Sequence, residues 1–287
     1  MNNTIEVHGL TKTYRGSSFK LDDISFSLPK GSIMGFIGEN GSGKTTTIKA
    51  ILNLFHYDSG DISILGMDSQ KRELEIKQQI GVVFDEGCFY DTLRAKDVSL
   101  IMRNIYKNWN DKTFLSYLEK FDIPMNITVK QYSRGMKMKL SIAVALSHAP
   151  KLLILDEATS GLDPVVRNEI LDEFLEFIQD EEHSIFISSH ITSDLEKIAD
   201  YITFIHKGKL VLSDSKDTLL NEYGLLKCGN ETFHKIDRSD IIGSRTNQFG
   251  YEVLVSDRRQ AKRKYPDCVI DHVSLEEIML YYVKGGR

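Results

Sequence analysis

Between residues 4 and 33 apolar and polar positions alternate with a period of two: Ile5-Glu6-Val7, then Phe19-Lys20-Leu21, then Ile24-Ser25-Phe26-Ser27-Leu28 before the turn Pro29-Lys30-Gly31. This spacing predicts short strands in an antiparallel layer. From Ser32 the pattern changes to compact apolar runs at 32–37, 80–84, 151–155 and 184–188, with a shorter strand at 61–65. Runs of this kind suit strands buried on both faces. Between them lie stretches with helical spacing: 46–52, a charged helix from about Lys71, and 93–121, where Val98, Ile101, Met102, Ile105, Leu115, Leu118 and Phe121 recur at three and four. Pro124 breaks this stretch, and 134–148 resumes it with Met136, Leu140, Ala143, Val144 and Ser147 along one face. Asp163-Pro164 supplies an N-cap and a first-turn proline for an amphipathic helix through Val166, Ile170, Phe174 and Ile178. Strands alternating with helices predict a mainly parallel sheet covered by helices, with a helical subdomain inserted at about 86–148. A closing hairpin is expected at 201–212 around Lys207-Gly208.

After about Ser215 the alternation fades. A strand at 251–255, a basic segment at 258–264 and an amphipathic helix near 275–282 predict a small α+β appendage. The expected organisation is one α/β domain over 1–215 and an accessory domain over 216–287.

Composition narrows the classes. With 41% hydrophobic and 27% charged residues the chain is an ordinary globular one, and a net charge of −5 argues against broad electrostatic binding of nucleic acid. No apolar run approaches the ~20 residues that span a bilayer, and the N-terminus lacks the regions of a signal peptide. A cytoplasmic location is expected. Cys88, Cys228 and Cys268 are odd in number and far apart, which suits reduced thiols better than a disulfide framework or a zinc site.

The chemistry centres on Gly38-Glu39-Asn40-Gly41-Ser42-Gly43-Lys44-Thr45-Thr46, which fits the phosphate-loop pattern G-x-x-x-x-G-K-[ST] between a predicted strand and a predicted helix. Glycines let the backbone fold around an anion, its N–H groups and the helix N-terminus offer partial positive charge, and Lys44 adds a full one. The pattern reads as the cradle of a nucleoside triphosphate, with the Thr45 hydroxyl placed for Mg²⁺. A second constellation is the apolar strand that ends at Asp156-Glu157, because ligands of open α/β sheets bind at the carboxyl ends of strands. His190 follows another buried strand. Tyr14 stands in a turn where an exposed ring could stack on a purine or simply pack.

With these pieces in order, residues 4 to 215 resemble the nucleotide-binding subunits of ABC transporters, of the class that exports through a separately encoded permease. The resemblance rests on Lys44-Thr45, on Asp85 where the family's Gln loop begins, and on Tyr132-Ser133-Arg134-Gly135-Met136 where it has LSGGQ. Asp156-Glu157 stands at the end of the Walker B strand, Ser160-Gly161-Leu162-Asp163 as the D-loop, and His190 as the switch histidine. It implies a P-loop NTPase core and the cofactors ATP and Mg²⁺. Lys44 would contact the β- and γ-phosphates, and Thr45 and Asp156 would hold the metal directly or through water. Asp85, or its neighbour Glu86, would take the metal-facing place of the glutamine. Tyr14 would stack on adenine, Glu157 would orient or deprotonate the attacking water, and His190 would bind the γ-phosphate.

Ser133 and Gly135 would complete the site of an opposing ATPase subunit, identical or related, so that two ATP molecules lie between two chains head to tail. The same comparison places the protein on the inner face of the membrane through its permease. Two departures stand out: Arg134 and Met136 replace a glycine and the glutamine of the signature, and Asp85 replaces the Gln-loop glutamine. Arg134, Lys137 and Lys139 also gather at a helix start, where positive charge opposes the helix dipole unless an anion sits nearby. A γ-phosphate is the anion expected there; a solvated face is the alternative for the two lysines. A regulatory subunit with weak hydrolysis, or a soluble ATPase acting outside transport, is the competing class.

Overall fold

The computed structural model of the chain describes residues 3–85 and 89–284. Among these residues the strands form three sheets. In the first, Asn3–Thr13 pairs antiparallel with Lys20–Pro29 on one side and with Ser59–Ile64 on the other, and Met67–Asp68 lies beyond. The period of two turns Ile5, Val7, Leu21, Ile24, Phe26 and Leu28 inward. Two strands are expected at 19–21 and 24–28, but the structure makes one, kinked where Asp23 takes φ 56 and the register slips by a residue. A bulge keeps both runs on the buried face, which a strict ladder through Asp23 would not.

The second sheet runs in the order Lys209–Ser215, Tyr201–His206, Ile33–Ile37, Ser184–Ser189, Leu152–Asp156, Ile80–Val83. Its neighbours are parallel except for the edge hairpin, whose turn residues Lys207 and Gly208 take φ 48 and 74. Positive φ at both positions is the twist that a two-residue hairpin requires. Phe26, Phe36 and Phe186 stack between the two sheets with ring centroids 5.3 to 5.6 Å apart. Four loops that leave the carboxyl ends of this sheet carry Lys44, Asp85, Glu157 and His190, so the strand order alone gathers the chemistry on one edge.

The stretch 93–121 is divided into two helices, Ala95–Ile105 and Asp111–Lys120. Tyr106 leaves the first in an extended conformation, and Asn110 caps the second by accepting from the backbone of Lys112 and Thr113. With Arg134–Leu146 they bury Val98, Phe114, Leu118, Phe121, Met138 and Leu140 together. Pro164–Phe177 begins as the sequence predicts, Asp163 accepting from the backbone N–H groups of Val165 and Val166.

The third sheet, in the order Gly243–Asn247, Gly250–Val255, Gly224–Cys228, Val269–Asp271, is antiparallel. The strand expected at 251–255, the helix expected at 275–282 (Leu275–Lys284) and a helix on the basic segment (Arg258–Lys264) are present. The sheet has two apolar faces. Leu226, Val253 and Val255 form a local core with Ile236 and Ala261, whereas Leu225 and Leu254 join the main core beside Leu275, Ile278 and Tyr281. Among the described residues no helix is long and apolar enough to cross a membrane.

Candidate functional site

The phosphate loop follows the buried strand Ile33–Ile37 and opens the helix Lys44–Ile51. Gly38 is confined: a Cβ there would lie 2.5 Å from both the Ile205 carbonyl and Ser42 Oγ. Gly43 precedes the helix at φ 116, a conformation open to glycine, and leaves the helix without a side-chain cap. The first turn carries no acidic residue, so its N–H groups and dipole face outward uncancelled. Beside them lies a cavity of about 540 Å³ lined by Phe19, Glu39, Asn40, Gly41, Gly43, Lys44, Thr45, Thr46, Asp85, Asp156 and Glu157. Most of the residues expected to bind nucleotide or metal therefore share one wall. Gly38 and Ser42 sit behind it as the frame of the loop, and Ser42 Oγ is buried without a hydrogen-bond partner among the described residues.

Lys44 is 5% exposed on its side chain. Its Nζ donates to the carbonyl oxygens of Gly38 at 2.8 Å and Glu39 at 3.3 Å and lies 3.2 Å from Glu157 Oε1. All three partners are negative or partly negative oxygens, the kind that phosphate would replace. Glu157 Oε2 lies 2.6 Å from His190 Nδ1, and Glu157 Oε1 is buried with no hydrogen bond among the described residues. Glu157 itself takes φ 54. A left-handed conformation at a non-glycine residue costs about 1–3 kcal/mol and is held here by surrounding bonds. Its N–H donates to Ser188 O at 3.1 Å and to Ser188 Oγ at 3.2 Å, while Ser188 Oγ donates to Asp156 Oδ1 at 2.6 Å. Asp156 is 4% exposed, so this hydroxyl satisfies a carboxylate removed from water.

Comparison with known proteins agrees with this geometry. The family model described as ABC transporter matches residues 21–160. The ABC transporter ATP-binding protein YhcH of Bacillus subtilis (strain 168) is 32% identical over 292 residues, which is 99% of this chain and 92% of that protein. The bacitracin transport ATP-binding protein BcrA of Bacillus licheniformis is 38% identical over 213 residues, 74% of this chain and 69% of its own. A solved ATP-binding subunit of an ABC transporter superposes with TM-score 0.68 at 25% identity, covering 75% of this chain and 91% of that one. The chain belongs to the ATP-binding proteins of ABC transporters. Its core is a P-loop NTPase fold, and its activity is ATP hydrolysis.

Several expected positions of an ABC subunit lie elsewhere. Ser133 is exposed and caps the helix Arg134–Leu146 by accepting from Met136 N at 3.2 Å. Neither Ser133 nor Gly135 lines the phosphate cavity of this chain. Tyr14 is 40% exposed, its ring 6.3 Å from that of Phe19, and it is Phe19 that reaches the cavity wall. The phosphate expected beside Arg134, Lys137 and Lys139 is that of an opposing subunit's nucleotide, and within this chain the three cations have carboxylate partners. Arg134 pairs with Asp85 at 2.5 Å, Lys137 with Asp91 at 3.3 Å, and Lys139 with Glu169 at 2.6 Å. Carboxylates of the same chain answer the charge that opposes the dipole. Glu86, the alternative to Asp85, lies outside the described residues.

The donor set also bears on the metal. Among the described residues no group of three or more His, Cys, Asp or Glu converges to hold an ion. The hydroxyl of Thr45 and the carboxylates of Asp85 and Asp156 line the cavity, and oxygen donors in small number suit an ion that keeps waters and shares phosphate ligands. Phe19 and Ser188 escaped the sequence reading. Ser188 is one serine in the buried strand Ser184–Ser189, and only the pairing of that strand with Leu152–Asp156 brings it opposite Asp156.

Proposed function

We propose that this chain powers export of a small molecule or peptide through a separate membrane permease, by ATP-driven head-to-tail pairing with a second ATPase subunit. The relative named for bacitracin transport supports the substrate class. The two-chain site is supported by Ser133 and Gly135, which sit at an exposed helix start away from the phosphate cavity. In this reading residues 1–215 are the ATPase unit and 216–287 an accessory one, and the permease holds the protein at the inner face of the membrane.

The observation that carries the catalytic reading is Glu157, held between Lys44 and His190 at the cavity wall. Phosphate oxygens take over Lys44 from the loop carbonyls and from Glu157. Thr45 and Asp156, with Asp85 in reach of the same cavity, would hold Mg²⁺, which neutralises charge on the β- and γ-phosphates. Tyr14 or Phe19 offers a ring for adenine. Once released from Lys44, Glu157 Oε1 accepts a proton from a water whose oxygen forms the new bond to the γ-phosphorus. The bond from that phosphorus to the bridging oxygen breaks, and its electron pair stays on ADP. His190 Nδ1 fixes the other carboxylate oxygen, and its ring would bind the γ-phosphate and help to hold the water.

Glu157→Gln keeps the size of the side chain and removes the base. The variant is expected to bind ATP while its turnover falls about 10²- to 10⁴-fold, and to accumulate as an ATP-bound dimer in size-exclusion chromatography. Turnover at the wild-type rate would remove Glu157 from the role of base.

A further inference from the structure

Asp85 and Arg134 are the two positions at which this sequence departs most sharply in charge from the pattern of its family, and the structure puts them in contact. Arg134 Nη2 lies 2.5 Å from Asp85 Oδ1. Asp85 belongs to two cavities at once: the 540 Å³ phosphate cavity with Lys44, Thr45, Asp156 and Glu157, and a neighbouring one of about 190 Å³ with Tyr132, Arg134 and Lys137. Its carboxylate therefore stands at the boundary of the two cavities, within reach of either. The guanidinium also lies over Gly161, four residues past Glu157, where an added Cβ would stand 2.8 Å from its central carbon. Arg134 thus bridges the end of the strand Ile80–Val83, its own helix start and the loop that follows the catalytic glutamate.

We propose that Arg134 is a positioning residue that latches Asp85 away from the phosphates, and that a metal-bearing nucleotide competes with it for that carboxylate. The proposal rests on the ATPase reading of the cavity. The charges support it. Among the described residues that line the phosphate cavity, Glu39, Asp85, Asp156 and Glu157 face one cation, Lys44. A nucleotide triphosphate entering without a divalent cation meets this excess of negative charge, and Arg134 lessens it by neutralising Asp85. The other two cations of the helix start are engaged by Asp91 and Glu169, which leaves Arg134 as the partner that the structure gives Asp85. The side chains are 52% and 42% exposed, and a pair so open to water is worth little to the fold. That is too little to anchor the fold and small enough for a metal to exchange.

The test is the ratio of two dissociation constants for β,γ-imido-ATP, measured by titration calorimetry on the full chain, without divalent cation over with Mg²⁺. Arg134→Gln frees Asp85, so metal-free binding weakens, metal-bound binding strengthens, and the ratio rises about fivefold. Arg134→Gln combined with Asp85→Asn abolishes the rise and brings the ratio to the wild-type value or below it, and Arg134→Lys stays near wild type. Asp85→Asn alone leaves a spare cation at the rim and lowers the ratio. An unchanged ratio in Arg134→Gln overturns the latch, as does a raised ratio that Asp85→Asn fails to restore. Should Arg134→Gln not fold, an unchanged ratio in Asp85→Asn overturns it equally. Wild-type protein that binds the analogue under neither condition would overturn the ATPase reading itself, a different result from any of these.

Discussion

A hydroxyl at position 188 answers two groups that burial would otherwise leave short of partners. Ser188 Oγ donates to Asp156 Oδ1 at 2.6 Å and accepts from the N–H of Glu157 at 3.2 Å, in a strand that is fully buried. Removing it leaves a carboxylate oxygen out of water without its donor, and loosens the bonds that hold Glu157 at φ 54. Ser188→Ala is therefore expected to lose about 1–3 kcal/mol of stability in urea denaturation and to hydrolyse ATP more slowly, with Ser188→Thr recovering part of both. A variant as stable as wild type would show that Asp156 finds another donor. Little of this was legible beforehand. The phosphate loop, the Asp156-Glu157 pair and His190 announce themselves because their chemistry depends on residue type at fixed spacing. Ser188 and Phe19 act through neighbours that only the folded chain supplies, and the pairing of Arg134 with Asp85 joins two segments far apart in sequence.

At the scale of elements, periodicity carries the parallel sheet, the antiparallel layer and the long helices, since each must bury a continuous apolar face. It says less where tertiary packing sets the boundary. The break at Tyr106 divides one periodic stretch into two helices, and the ring there stacks on His148 with centroids 3.8 Å apart. His148 follows the helix Arg134–Leu146 and is 0% exposed, with Nε2 3.0 Å from the Ile80 carbonyl of a sheet strand. It ties helix, sheet and the Tyr106 break together. Burial holds its pKa below the ordinary 6.5, against smaller opposing effects of the Ile80 and Val144 carbonyls. The unfolded chain then takes up a proton below 6.5 that the folded chain resists. This contribution to stability is complete above that value and is lost as the pH falls beneath it, by at most about 1.4 kcal/mol per pH unit. The neutral variant His148→Gln removes the group. The stability of wild type relative to this variant should decline between about pH 7.5 and about pH 5.5 in denaturant titrations. A difference independent of pH would mean that His148 is protonated in the folded state as readily as in the unfolded one.

For the molecule as a whole, the question is whether the last quarter of the chain stands apart from the nucleotide core. Its sheet has a core of its own around Leu226, Val253 and Val255, a feature of an independent unit. Its other face and its final helix point the opposite way. Leu275, Ile278 and Tyr281 lie in the same buried cluster as Leu195, Ile198 and Phe204, which belong to the helix after His190 and the sheet strand beyond it. Leu275 N donates to Glu196 Oε1 at 2.8 Å, and the ring of Tyr282 meets that of Phe204 edge-on at 6.2 Å. Contacts of this kind make the two parts share burial free energy, so they should unfold together. Calorimetry of the full chain is expected to show one transition that moves as a whole when Ile278 is cut to alanine, a buried truncation costing about 2–5 kcal/mol. If instead Ile278→Ala lowers one of two separable transitions and leaves the other in place, the accessory part folds by itself. In the coupled case, a partner that grips the final helix would also strain the helix Thr192–Ile198, which begins two residues after His190. The accessory segment would then have a direct mechanical line to the γ-phosphate side of the site.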